Sequence, residues 1–280
     1  MIPFNFEYYR PDSSEQAVML FEDLDRQGKR PLYYGGGTEI ISFSRLYQLY
    51  PGAVIDLKGI PECNTLELKD GNIIIGVALT LTKIQESNIF PLLSHCGGRV
   101  ADHTVRNKIT LGGNICAKIP YRETVLALLV SDAGIVIQGK DGKRKININE
   151  VFNQFLHLKE GEILLQAIID EKVAKLPFAS YKTTVEGEVG YPQDKIGYPV
   201  VSAAAIKDAQ KIRFAVSGVC NYPIRSPEVE NALGDTGTPW PERVEKAVEH
   251  LPVISDMEGS AGYRKFVLEN ILHAIQERLD

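Results

Sequence analysis

The spacing of apolar residues along this chain switches repeatedly between the two-residue period of strands and the wider period of helices. Residues 4–9 are aromatic and apolar, and Pro11-Asp12-Ser13-Ser14 then prepares a helix start. Ser13 with Gln16 fits a capping box, and Ala17, Leu20, Phe21 and Leu24 supply one apolar face. After Gln27-Gly28-Lys29-Arg30 the pattern predicts a strand over 31–34, a glycine loop, a short helix over 40–50 and a buried strand over 53–57. Gly59 and Pro61 interrupt regular structure. Strands over 65–68 and 72–77 follow, joined at Lys69-Asp70-Gly71 as a hairpin. Thr80 opens a helix with the stripe Leu81 and Ile84, and another helix begins at Pro91 and breaks at Gly97-Gly98.

Residues 121–131 read as a helix with Val125, Leu128 and Leu129 on one face. Strands over 134–138 and 143–148 form a hairpin around Lys140-Asp141-Gly142, and 162–169 and 177–183 are further strands. Residues 185–199, VEGEVGYPQDKIGYP, read as an exposed, mobile loop of the kind that makes lids or contact surfaces. Strands over 200–206 and 211–218 follow, with a turn at Asp208-Ala209-Gln210. From Ser226 the pattern is helical, ending over 263–279 with Leu268, Ile271, Leu272, Ile275 and Leu279 on one stripe. Mixed elements, then antiparallel strands, then helices predict an α+β chain of about three units.

Charge and cysteine usage narrow the function classes. A net charge of −5 argues against a nucleic-acid surface, which needs a basic face. No apolar run approaches the ~20 residues that span a bilayer, and the N-terminal stretch does not read as a signal peptide. The cysteines, at 63, 96, 116 and 220, are scattered without a C-x-x-C or a Cys/His cluster. Reduced thiols in the cytoplasm are the simplest inference. The pattern predicts no metal ligands and no catalytic side chain, so any iron–sulfur cluster belongs to another chain.

Two glycine-rich stretches carry the candidate chemistry. PLYYGGGTEI, residues 31–40, ends an apolar run in Gly35, Gly36 and Gly37, then Thr38 and Glu39, before a helical pattern. Glycines let backbone N–H groups approach a ligand and form an anion-binding concavity, to which a helix N-terminus adds partial positive charge. TLGGNI, residues 110–115, repeats the theme: Thr110 offers a hydroxyl, Gly112 and Gly113 bare backbone, and Asn114 an amide. Two such loops predict a diphosphate held from two sides, although Gly-Gly pairs also make ordinary turns. Neither loop is a Walker loop or the GxGxxG fingerprint.

In order and spacing, these stretches resemble the flavin subunit of the molybdenum hydroxylases, the family of xanthine dehydrogenase and aerobic carbon monoxide dehydrogenase. YYGGGTEI resembles the family's first flavin loop, often AGGTDL or GNTEI, and VADHTVRNKITLGGNIC is similar to its most recognisable segment. Glu123 stands nine positions after Asn114, where the family usually has aspartate. EILLQAIID, Ala179-Ser180-Tyr181-Lys182, AVSGVCNYPIRS and SAGYRKFVLENIL extend the similarity over nearly the whole chain. The resemblance implies two α+β subdomains of the vanillyl-alcohol-oxidase (PCMH) type, residues 1–57 and 58–170, that cradle FAD. A smaller C-terminal α+β domain over 171–280 completes it.

It also implies site residues. Tyr34, Gly35, Gly36, Gly37, Thr38, Glu39 and Ile40 would line the pyrophosphate from one side, and Val100, Thr110, Gly112, Gly113 and Asn114 from the other. Glu123 would accept hydrogen bonds from nucleotide hydroxyls, or simply complement a helix dipole. Leu164 or Leu165 would pack on the isoalloxazine, and Lys182 would place a positive charge at its polar edge, or sit as a solvated strand residue. Cys116 would be a small buried side chain near the flavin.

By the same resemblance the chain is an electron-transfer subunit, carrying electrons from iron–sulfur clusters to FAD and on to NAD or another acceptor. Molybdopterin and iron–sulfur subunits would be its partners. Purines are the first substrate expectation; carbon monoxide, nicotinate and aldehydes stay open. The loop over 185–199 differs from the family's Arg-rich stretch, with Gly197 where an acid is common. Two rivals remain: a stand-alone oxidase of the vanillyl-alcohol-oxidase type, and a binding module that has lost its flavin.

Overall fold

The computed structural model describes residues 2–184, 198–209 and 211–280. Of the candidate loop over 185–199, residues 185–197, with Gly197, lie outside the described residues, and Pro199 already opens a strand. Three sheets follow one another along the chain. The first is parallel, ordered β1-β3-β2, from β1 (Glu7–Tyr9), β2 (Pro31–Tyr34) and β3 (Ala53–Asp56). Strand β3 is central and its four residues are all buried, as a short AVID run between two neighbours requires. Helix α1 (Ser14–Arg26) crosses from β1 to β2, and α2 (Thr38–Arg45) follows the first glycine stretch. Ser13 caps α1 by accepting from the Gln16 N–H. The reciprocal bond from the Gln16 side chain goes to the Asp12 N–H rather than to Ser13.

The second sheet is antiparallel, ordered β4-β5-β10-β6-β7. Its strands are β4 (Leu66–Lys69), β5 (Asn72–Gly76), β6 (Gly134–Gly139), β7 (Gly142–Asn147) and, much later, β10 (Ile163–Asp170). Between β5 and β6 run α3 (Leu81–Ser87), α4 (Pro91–Gly97), α5 (His103–Arg106), α6 (Leu111–Cys116) and α7 (Glu123–Val130). A small hairpin of β8 (Phe152–Asn153) and β9 (Phe155–Leu156) precedes β10. The third sheet, ordered β11-β12-β13-β14, joins β11 (Phe178–Thr184), β12 (Pro199–Asp208), β13 (Lys211–Ser217) and β14 (Ile224–Arg225).

Two elements depart from the sequence pattern. The second glycine stretch is not a loop: Leu111–Cys116 is helical, with Thr110 as its cap. Helix α7 is buried on every side rather than on one face, because α4 covers it on one flank and β12 and β13 of the third sheet on another. All eight of its residues, ETVLALLV, are accordingly apolar or paired. The third sheet is thus shared between two cores. Ala204, Ile206 and Ala215 pack with α7, while Ala203, Phe214 and Val216 face the C-terminal helices, including Ala261–Leu279.

Candidate functional site

Strand β2 ends where three glycines turn the chain into α2. Gly37 has φ 72°, a conformation glycine adopts without strain, and a Cβ there would collide with the Tyr34 ring. A Cβ on Gly36 would overlap the Lys108 carbonyl oxygen, and one on Gly35 would lie 2.6 Å from Thr110 Oγ1. The first glycine stretch is therefore packed against the backbone of Lys108 and the side chain of Thr110, where the second stretch begins. No backbone carbonyl among the described residues accepts from the N–H of Gly35, Gly36, Gly37, Thr38 or Glu39. Thr38 and Glu39 open α2, so their N–H groups point out of its positive end.

The second stretch has its amides committed. Leu111 N–H donates to Leu79 O at 2.9 Å, Gly112 N–H to Val77 O at 2.9 Å, and Gly113 N–H to Thr110 Oγ1 at 3.1 Å. Gly112 packs so closely that its Cβ would stand 2.8 Å from Val77 Cβ. Gly113 differs: its Cβ would meet only the Thr110 hydroxyl oxygen, at 3.1 Å. Gly113 and Cys116 are exposed, one turn apart on the same face of α6. Cys116 is therefore not the buried small side chain expected from the sequence. Asn114 is buried, and its Oδ1 accepts from the backbone and hydroxyl of Thr124. Its Nδ2 remains the available donor.

That Asn114–Thr124 contact ties α6 to the start of α7, where Glu123 sits. Glu123 Oε1 accepts from Lys182 Nζ at 3.0 Å, and the lysine also donates to Arg99 O at 2.7 Å. The two side chains are only 12% (Lys182) and 8% (Glu123) exposed, so Lys182 is not a solvated strand residue. It joins the third sheet to α7 and to the segment carrying Val100, itself buried. Glu39 is also engaged, accepting from the Lys118 N–H at 3.1 Å. Ile40 is half-buried in the first turn of α2. Leu165 stands at a bulge in β10 with its side chain in the core, as does Leu164. Its carbonyl accepts from Val77 N–H at 3.0 Å, so the bulge backs the strand end that holds Gly112.

Sequence reasoning missed two parts of this neighbourhood. Asp56 ends β3 and Lys58 follows it, and the pair reaches the first glycine stretch through the lysine: Lys58 Nζ donates to Gly35 O and to Asp56 Oδ1, both at 2.8 Å. Burial opposes ionisation of Asp56, yet hydrogen bonds from Lys58 and Tyr8 outweigh it and hold the carboxyl below its ordinary range. The only signal was an acidic residue ending a buried strand. Arg122 is the second: it is 0% exposed, with its guanidinium 5.2 Å from the Phe152 ring and 5.0 Å from the Phe155 ring. One nitrogen donates to Gln154 O at 2.6 Å, while Nε and Nη1 find no partner among the described residues. Burial lowers its pKa to about 10.

The geometry fits a cofactor with a diphosphate. A row of amides at a helix start has no backbone acceptor among the described residues, and Gly113 on nearby α6 carries no side chain. Among the described residues no group of three or more His, Cys, Asp or Glu is placed to bind an ion. Burial pushes the Cys63 and Cys96 thiols up to about 12, leaving them protonated and inert.

Fold and site together define a two-lobed flavin-nucleotide-binding protein with a third α+β unit appended. The family model described as the FAD binding domain in molybdopterin dehydrogenase matches residues 4–169, and the chain belongs to that family. It is an FAD-binding subunit of the molybdenum hydroxylases, and FAD is its cofactor. Among similar proteins is the 6-hydroxypseudooxynicotine dehydrogenase complex subunit alpha of Paenarthrobacter nicotinovorans, 26% identical over 97% of this chain and 93% of the relative. Another is the glyceraldehyde dehydrogenase medium chain of Sulfolobus acidocaldarius, 27% identical over 96% of each chain. The carbon monoxide dehydrogenase of Hydrogenophaga pseudoflava shares the fold, with a TM-score of 0.86 at 22% identity over 100% of this chain and 98% of that one. Among the described residues no helix is long and apolar enough to cross a membrane.

Proposed function

We propose that this chain relays electrons within a heteromeric cytoplasmic molybdenum hydroxylase. Iron–sulfur clusters on one partner subunit would deliver the electrons, and a molybdopterin subunit would oxidise the substrate. The observation that carries the reading is the row of amides at residues 35–39, which have no backbone acceptor among the described residues and lie beside Lys108 and the Thr110 cap of α6. These amides and the α2 N-terminus would hold the diphosphate, Gly113 would let it approach, and Asn114 Nδ2 would donate from the far side. Glu123, oriented by Lys182, would accept from a ribityl or ribose hydroxyl. Lys182 would lie beside that carboxylate and near the polar edge of the flavin. When bound, FAD supplies chemistry that takes electrons singly and releases them as a pair.

A purine is the first substrate to try and NAD the first acceptor, on the likeness of the GGGTEI loop to xanthine dehydrogenase subunits. The relatives above are named for 6-hydroxypseudooxynicotine, glyceraldehyde and carbon monoxide, so those substrate classes enter the same test. The first experiment is an absorption spectrum of the purified chain with and without FAD. Bands near ~370 and ~450 nm that acid releases as free FAD support the reading. Co-purified partner subunits assayed with hypoxanthine and NAD then test the substrate and acceptor. A colourless protein after reconstitution overturns the relay.

A further inference from the structure

Three consecutive glycines have too much conformational freedom to aim a row of amides by themselves. One side chain reaches their backbone from outside. Lys58 Nζ donates to the Gly35 carbonyl at 2.8 Å, and lies 4.5 Å from the centre of the Tyr34 ring, the ring that packs on Gly37. The lysine is itself anchored. Its Nζ and its backbone N–H both reach Asp56 Oδ1, at 2.8 and 2.9 Å, and the Tyr8 hydroxyl donates to Asp56 Oδ2. Asp56 ends the central strand β3 and is 2% exposed, so the anchor belongs to the sheet. In a planar trans peptide the C=O and N–H point to opposite sides. A Gly35 carbonyl drawn to Lys58 therefore turns the Gly36 N–H away from it.

We propose that Lys58 is a positioning residue for diphosphate recognition: seated on Asp56, it clamps the Gly35–Gly36 peptide so that the amides of residues 35–39 face a nucleotide diphosphate. This inference rests on the flavin site proposed above. A lysine that served only to neutralise Asp56 would have no need to reach the glycine carbonyl.

The test uses the full chain, with ADP and FAD as probes in calorimetry and hydrogen exchange read across residues 35–39. Lys58→Met weakens ADP and FAD about 10- to 100-fold, the scale of losing a charge-assisted hydrogen bond and part of the array it orients. Exchange at 35–39 rises before ligand is added, with neighbouring strands unchanged, and Lys58→Arg restores most of the affinity. Because Lys58→Met leaves Asp56 buried without its cation, Lys58→Met/Asp56→Asn is measured beside it and shows the same loss of ADP affinity with a wild-type melting temperature. Exchange across 35–39 that FAD does not slow in the wild type overturns the flavin reading of this loop, and the clamp with it. FAD protection there, together with wild-type ADP affinity in both variants, overturns the clamp alone. So does a loss that follows only the melting temperature and is absent from the double variant.

Discussion

The two glycine stretches look alike in sequence and differ in what their backbones are free to do. In Gly35–Gly37 the glycines make room for neighbours, and the five successive N–H groups of residues 35–39 have no backbone acceptor among the described residues. In α6 the glycines let a short helix lie against Val77, and its N–H groups are spent on Leu79, Val77 and the Thr110 cap. The first is a set of donors, the second a wall with one bare position. A Gly-Gly pair therefore says that backbone comes close to something. Whether that something is a ligand depends on where the N–H groups point, which the neighbouring strand ends decide.

The largest effect should come from Gly36→Ala, which forces the two stretches apart at the Lys108 carbonyl. It should cost roughly 1–3 kcal/mol of stability, as overpacking does. It should also weaken FAD by about 100-fold or more, since several charge-assisted hydrogen bonds lose their geometry together. Thermal melts beside a fluorescence titration read both; unchanged FAD affinity would remove the first stretch from the site. Gly113→Val comes next, and the Cβ it adds meets only the Thr110 hydroxyl oxygen, at 3.1 Å. FAD affinity should fall about 10-fold or more, while the melting temperature falls less than in Gly36→Ala. Full retention of FAD would mean that nothing approaches α6.

Thr110→Val should be smaller. It removes the side-chain acceptor for the Gly113 N–H, a cap worth about 1 kcal/mol, measurable by urea unfolding. A clear rise in stability would mean that the hydroxyl is not a cap.

The smallest effect is a pH dependence confined to the first stretch, where Asp56 is the carboxylate beneath the clamp. Its folded pKa is lowered, so its contribution is complete above the ordinary carboxylate range, near about pH 4, and fades as acid brings the pH through the still lower folded value. Stability measured between about pH 2 and 6 should therefore fall less steeply in Asp56→Asn than in the wild type. Parallel curves would sever Asp56 from the loop's energetics.

Much of this arrangement was legible beforehand, for reasons that differ by element. Ser13 and Thr80 announced helix starts, because a side-chain oxygen before an apolar stripe has few better uses than capping. The hairpin turns at Asp70-Gly71 and Asp141-Gly142 were equally plain. The helical state of residues 111–116 was not, since two glycines and an asparagine disfavour a helix locally. It forms because Leu79, Val77 and Thr110 take its first N–H groups, and those partners are 32 and 35 positions earlier or are the cap itself. The wrapping of α7 was hidden for a similar reason: ETVLALLV is apolar enough for a core, but its second cover comes from β12 and β13, which lie about 70 residues or more further along the chain.

The residue pattern by itself determined most element types, α6 excepted, together with the α+β class and the identity of the glycine stretches, because these follow from local propensity and spacing. Only the tertiary structure decided which amides are free, that Lys182 pairs with Glu123, that Lys58 reaches Gly35, and that Arg122 is buried between two phenylalanines. Each of these is a contact between segments distant in sequence. A hydrogen-bond donor is spent or spared by whichever backbone the fold brings within about 3 Å of it.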